Sequence, residues 1–116
     1  MSALENIVEA ISPFGYPYAP DIYEGRSDHY FAYNYANIRA GLRGDDETME
    51  AVASVQVHFF LPRKEKFTDI KKRVSKALER QGFTWPEVTM LIEGNMRHIV
   101  FECEIDEEVE EQTWPI

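Results

Sequence analysis

The sequence predicts an α+β fold: one antiparallel or mixed β-sheet of about four or five strands with two helices packed on it. Three observations predict this fold. Residues 51–61 alternate apolar and polar side chains with the period of a strand, and residues 66–81 repeat apolar side chains at helical spacing. Residues 88–106 form two alternating segments around Gly94-Asn95, which is the pattern of a β-hairpin.

Length and composition indicate a single globular unit. The chain has 116 residues, 44% of them hydrophobic and 13% aromatic, which is enough to bury one core without disulfides. We assign one α+β domain to residues 1–106 and an acidic C-terminal tail, expected to be mobile, to residues 107–116. The formal net charge of −9 argues against nucleic acid and anionic membranes as partners.

The N-terminal residues and the hydropathy pattern bear on location. Residues 1–6 have neither a basic region nor a long apolar region, so we expect no signal peptide. No apolar stretch approaches the roughly 18 residues of a membrane span. We therefore expect a cytoplasmic, soluble protein.

The first half of the chain begins with a helix. Ser2 and Glu5 have the spacing of a capping box, and the apolar residues that follow fall on one helical face as far as residue 12. Three prolines and a glycine in residues 13–20 predict an irregular loop. The aromatic-rich residues 29–35 predict a strand with rings on both faces. Residues 37–42 predict a second strand, and residues 44–47 predict an acidic turn after it.

The second half repeats the strand and helix patterns more clearly. Pro62 ends the strand of residues 51–61, and Gly82 is placed to end the helix of residues 66–81. We expect this helix to pack its apolar side on the sheet, and we expect the closing strand to point these residues inward: Ile99, Phe101, Cys103 and Ile105.

No set of residues converges on a catalytic or cofactor task. The histidines lack the spacing of a metal site, and we interpret them as strand residues on a polar face, although neighbouring strands could bring them together. Cys103 lies among inward residues and is interpreted as a buried, inert thiol. Paired carboxylates are interpreted as solvating charges. We therefore expect no enzyme activity, no catalytic residue, no cofactor and no metal.

Two surface features point to partners. Basic residues concentrate at 63–66 and along the second helix, while the end of the chain is acidic, so in a ring of identical subunits the helix of one could meet an acidic edge or tail of the next. The alternative is an ordinary solvated helix face. Tyr30, Tyr33 and Tyr35 are equally open to interpretation as core packing or as interface anchors.

The order of these elements resembles a known family. A helix and a Pro/Tyr-rich loop precede Asp28-His29-Tyr30-Phe31-Ala32-Tyr33 and the long strand Val55-Gln56-Val57-His58-Phe59-Phe60. A helix then ends in Ala77-Leu78-Glu79-Arg80-Gln81-Gly82-Phe83, and His98-Ile99-Val100-Phe101-Glu102 closes the pattern. Over about residues 2 to 106 the chain resembles the tail terminator, or tail-completion, proteins of long-tailed bacteriophages and prophages.

The resemblance implies a structural protein that forms a hexameric ring, caps the tail tube and joins it to the head connector. It implies no catalysis and no cofactor, and it would place the protein in the cytoplasm of the bacterial host during assembly and, if the phage is active, in the virion tail. It assigns the loop around residues 43–47 to the ring lumen or tube contact and the second helix with the edge strands to contacts between protomers. The interface residues expected are Arg39, Arg43, Asp45, Asp46, Lys64, Lys72, Arg73 and Lys76.

Two other functions stay open at this point. A stand-alone small-ligand-binding or regulatory domain of a bacterial protein would be a monomer or dimer with an apolar pocket, which the tyrosines could line. An enzyme would require His58 or His98 to meet a partner that the linear sequence does not reveal.

Overall fold

A computed structural model describes residues 1–41 and 50–108. Over these residues the chain forms one five-stranded sheet with two α-helices and a short 3-10 helix at Ser12–Phe14, which confirms the predicted α+β class. The α-helices are α1 (Ala3–Ile11) and α2 (Thr68–Arg80). The strands are β1 (Tyr18–Pro20), β2 (Tyr30–Ala40), β3 (Glu50–Pro62), β4 (Glu87–Glu93) and β5 (Met96–Glu108).

The sheet has the order β1-β2-β3-β5-β4 and is mixed, since β1 pairs with β2 in parallel and all other neighbours are antiparallel. The prediction of an irregular loop at residues 13–20 is therefore only partly correct, because the last three of these residues form an edge strand. Pro20 is compatible with an edge position, where one side of the strand needs no ladder hydrogen bond.

Residues 30–40 form one strand, so the prediction of two separate strands was wrong. The register with β3 shifts between Tyr35 and Asn37, which leaves Ala36 as the extra residue of a β-bulge. The bulge interrupts the alternation of faces without ending the pairing, and a sequence pattern cannot tell these two cases apart. The acidic turn predicted at residues 44–47 lies outside the described residues.

Both helices pack on the same side of the sheet. The capping box at α1 is present, with the Ser2 hydroxyl accepting from the Glu5 backbone and the Glu5 carboxylate accepting from the Ser2 backbone. Gly82, with φ +103°, follows the end of α2 as predicted. The core lies between the two helices and the sheet. Its fully buried members include Ile7, Ile11, Phe31, Val55, Val57, Phe59, Val74, Leu78, Ile99 and Phe101.

The closing hairpin forms as predicted, with Gly94 at φ +61° in its turn. β5, however, extends to Glu108, two residues beyond the boundary that we placed after residue 106. Glu107 belongs to the folded unit because its carboxylate accepts hydrogen bonds from the Tyr35 hydroxyl, at 2.6 Å, and from the Ala3 backbone. The remaining residues of the predicted acidic tail, 109–116, lie outside the described residues.

Long strands give the molecule an elongated shape of 54 × 26 × 23 Å. β2 is buried from Phe31 to Tyr33, with Phe31 and Tyr33 in the core beneath the helices, and exposed from Ala36 to Ala40. Within residues 1–41 and 50–108, neither helix has the length and apolar character needed to cross a membrane.

Candidate functional site

The side of the sheet opposite the helices carries a dense set of polar and aromatic side chains. Directly paired residues of antiparallel strands share a face, so the register defines this side without ambiguity. We call it the uncovered face. It comprises Tyr30, Ala32, Asn34, Asn37 and Arg39 of β2; Val52, Ser54, Gln56, His58 and Phe60 of β3; Glu87, Thr89, Leu91 and Glu93 of β4; and His98, Val100, Glu102, Glu104 and Asp106 of β5.

A chain of hydrogen bonds crosses the uncovered face from β4 to β2. Glu93 Oε1 lies 2.8 Å from His98 Nδ1, and His98 Nε2 lies 2.7 Å from His58 Nδ1. His58 Nε2 continues the chain to Asn34 Oδ1 at 3.0 Å. Sequence reasoning did not identify this pairing, because the meeting of His58 and His98 depends on the β3–β5 register.

The chain of contacts fixes the number of protons it must hold. The Asn34 amide donates to the Tyr35 carbonyl and the Gln56 side chain, so its Oδ1 accepts from His58. An ionised Glu93 is also an acceptor. Three contacts between two terminal acceptors require three N–H groups, whereas two neutral imidazoles supply only two. The chain is complete when the two histidines share one additional proton.

The Glu93 carboxylate contacts His98 and does not contact His58. Burial lowers the pKa of His58, and the neighbouring His98 lowers it further, so His58 is the neutral ring of the pair. Protonating both rings would place two N–H groups against each other and remove the 2.7 Å hydrogen bond. The pair is therefore a proton-sensitive part of the uncovered face.

Stacked rings run beside the polar chain. The ring centroids of Tyr23 and Tyr30 are 4.4 Å apart, those of Tyr30 and Phe60 4.6 Å, and those of Phe60 and His98 4.1 Å. The planes of each pair lie within 24° of parallel, which is a stacked geometry. Four side chains therefore form one continuous stack on a side of the sheet that no helix covers: Tyr23, Tyr30, Phe60 and His98.

The other end of the uncovered face is acidic. Glu104 accepts from Arg39 at 2.9 and 3.2 Å and from the Ser54 hydroxyl at 2.9 Å, and the Arg39 hydrogen bond and the Ser54 hydrogen bond lower the pKa of its carboxyl. Beside this cluster lies a groove of about 290 Å³. Its walls are formed by Ala36, Ser54, Val55, Thr84, Trp85, Glu87, Glu102, Cys103 and Glu104.

The structure places the expected interface residues on two opposite sides. Arg39 lies on the uncovered face, whereas Lys72, Arg73 and Lys76 are exposed on α2 and Lys64 is exposed in the turn after β3. Arg73 lies 3.8 Å from Asp69 and also places its guanidinium 4.9 Å from the Phe14 ring centroid. The remaining three expected residues, Arg43, Asp45 and Asp46, lie outside the described residues.

Other candidate chemical groups are accounted for by structure. Burial raises the pKa of the Cys103 thiol to about 12, which agrees with its interpretation as an inert core residue. His29, just before β2, contacts Asp28 at 2.7 Å and Glu65 at 2.8 Å. Across the described part of the chain, no group of three or more His, Cys, Asp or Glu residues is arranged to hold a metal ion.

Comparison with known proteins adds no family assignment. A scan against models of protein families and a search of curated proteins each gave no match.

Proposed function

We propose that this chain is a phage or prophage structural protein that caps the tail tube and joins it to the head connector by forming a ring. The observation that carries the proposal is the shape of the sheet. β2, β3 and β5 have 11, 13 and 13 residues, and one end of β2 extends beyond the helices with its residues exposed. Most strands in globular proteins have about five or six residues.

An assembly subunit has a physical use for such a sheet. A ring closes when one surface of each subunit binds a different surface of the next, so each subunit needs two complementary patches. The uncovered face and the helix side supply two different surfaces on opposite sides of the molecule. The long strands also leave β4 as an edge of seven residues that another chain could contact.

The proposed role needs no reaction and no cofactor. The protein would act in the cytoplasm of the bacterial host during assembly and would remain in the tail of the virion. Its partners would be further copies of itself, the tail-tube protein and the head connector. The expected interface residues on α2 fit contacts between copies because they are exposed side chains on a regular element.

A small-ligand-binding domain is the second candidate, and one groove favours it. Met1, Leu4, Val8, Pro20 and Tyr33 line most of a groove of about 420 Å³, which falls within the usual size range of ligand pockets. The tyrosines do not share a pocket as that hypothesis suggested. Tyr30 lies on the uncovered face, whereas Tyr33 and Tyr35 lie on the helix side.

The test is the solution mass of the purified chain by light scattering across protein concentration, with negative-stain imaging of the largest species. We expect a closed ring whose mass stops increasing once it is complete, with hexameric size. A monomer or dimer at every concentration would contradict the proposal. A small molecule that raises the melting temperature of such a monomer, with Val8→Arg abolishing the effect, would support the ligand-binding alternative.

A further inference from the structure

The two sides of the molecule differ in charge. The uncovered face and its borders carry five carboxylates, Glu87, Glu93, Glu102, Glu104 and Asp106, against the single arginine Arg39. Arg39 is already paired with Glu104, and Glu93 with His98. Within the described residues, Glu87, Glu102 and Asp106 have no ion-pair partner. This side therefore has a surplus of negative charge that is available to a cationic partner.

The helix side has the opposite surplus. Along α2 and the loop before it, these basic side chains are exposed: Lys64, Lys66, Lys72, Arg73, Lys76 and Arg80. Asp69 and Glu79 are the acidic residues of α2, and Asp69 is within 3.8 Å of Arg73. A regular helix presents its cations at fixed spacing, so several of them can meet carboxylates on neighbouring strands at once.

The acidic end of the uncovered face also has a shape that fits a cationic side chain. Trp85 is 54% exposed and lines the groove of about 290 Å³ together with Glu87, Glu102 and Glu104. A lysine or arginine entering this groove would meet carboxylates and an aromatic ring, and the ring adds a cation–π contribution. Leu91, 43% exposed on the same face, gives the surface apolar area to bury.

We propose that the uncovered face is the docking surface for α2 of a second copy of this chain, an inference that rests on the proposed ring. The basic residues of α2 would lie along the acidic end of the face, with a lysine in the groove beside Trp85. Four strands at about 4.8 Å spacing and seven residues at about 3.3 Å give a surface of roughly 440 Å² a side, at the low end of the size range of specific interfaces. Because α2 and the uncovered face lie on opposite sides of the molecule, each copy can bind one neighbour through α2 and another through the uncovered face.

Charge exchange tests the contact. The variant Glu87→Lys with Glu102→Lys reverses charge on the face, and Lys72→Glu with Lys76→Glu reverses it on the helix. Like charges across an interface weaken binding, so we expect each variant alone to need at least about tenfold more protein to associate, about 1.4 kcal/mol. An equimolar mixture of the two, and the chain carrying all four changes, restores association because opposite charges meet again.

Controls separate the contact from net charge and from folding. Asp21→Lys with Glu24→Lys changes net charge by the same amount as the face variant at two exposed positions between β1 and β2, outside α2 and the acidic end of the face, and we expect wild-type association. A variant that failed to fold could not be rescued by mixing, so the rescue itself reports on folding.

The outcomes divide the two proposals. Closed rings that form equally well in all variants would overturn the docking surface and leave the proposed function standing. Open-ended chains that respond to charge exchange would support the docking surface and contradict ring closure. A wild-type chain that stays monomeric, or variants that neither the mixture nor the fourfold exchange restores, would overturn the docking surface.

Discussion

The two faces of the sheet differ in what determines them. On β3, Phe59 is 1% exposed in the core, whereas its neighbour Phe60 lies on the uncovered face and stacks between Tyr30 and His98. The covered face is specified by apolar alternation alone. The uncovered face depends on which polar side chains the register of three strands brings together, as in the contact between His58 and His98.

The two faces also differ in how much substitution they tolerate. The helix side of the sheet is filled by side chains that hold the two helices in place, and its substitution would disturb the fold. The uncovered face carries hydrogen-bonded polar side chains, stacked rings and carboxylates, and we expect their substitution to disturb the fold less than substitution in the core. We therefore expect the uncovered face to be one of the contact surfaces of this protein.

The largest expected difference between the faces is between two neighbouring phenylalanines. Phe59→Ala removes a fully buried ring and should cost about 3–5 kcal/mol of unfolding free energy. Phe60→Ala removes a partly exposed ring and should cost about 1–2 kcal/mol. Urea unfolding of both variants and the wild type measures the difference. Equal losses would contradict the distinction between a covered and an uncovered face.

A smaller effect tests how the end of β5 is attached to the helix side. Tyr35→Phe removes the hydroxyl that donates to Glu107 at 2.6 Å and should cost about 1–2 kcal/mol of unfolding free energy. Burial and this hydrogen bond raise the pKa of Tyr35 to about 12, so the hydroxyl stays protonated at neutral pH.

The matched control for the hydroxyl is Tyr33→Phe. Tyr33 is buried on the same strand face, and no hydrogen bond of its hydroxyl is found among the described residues. We expect this change to leave urea unfolding nearly unaltered. A loss as large as that of Tyr35→Phe would show that the Glu107 contact is not the cause.

The smallest expected effects concern pH, and the two sides again differ. The pKa of His58 is lowered by burial and by His98, so the stability that neutral His58 contributes is full above the ordinary pKa of about 6.5 and is lost as the pH falls through the lower folded value. Burial also lowers the pKa of His29, but hydrogen bonds to Glu65 and Asp28 outweigh burial and raise it. Its contribution is full below about 6.5 and is lost as the pH rises through the folded value.

Urea unfolding of His58→Gln and His29→Gln near pH 5 and pH 8 checks these signs. Relative to the wild type, His58→Gln should cost more at the higher pH and His29→Gln more at the lower pH. Changes of the same sign for both histidines would contradict the hydrogen-bonding roles assigned to them.

Much of the fold follows from the sequence because it depends on local signals. The capping box of Ser2 and Glu5, the alternation of residues 51–61 and Gly82 after the second helix each act within a few residues. The errors have physical reasons as well. The bulge at Ala36 keeps a strand continuous across a break in alternation, and Glu107 joins the fold through a contact with Tyr35, which is distant in sequence.

The candidate surface was predictable only in part. The exposed cations of α2 were expected from the helical pattern, and charge alone suggested an acidic counterpart. The uncovered face was not foreseen as that counterpart, since its carboxylates on β4 and β5 come together only through sheet pairing. Trp85 gave no signal either, because its place in the groove depends on contacts with β5.

Trp85 provides the most direct test of the claim that copies meet on the uncovered face. With Trp114→Phe as background, Trp85 is the single tryptophan of the chain, and its fluorescence can be followed as protein concentration raises the mass measured by light scattering. Trp85 is 54% exposed, so its emission should move to shorter wavelength as a second copy covers it. An emission that stays unchanged while the mass increases would contradict the claim.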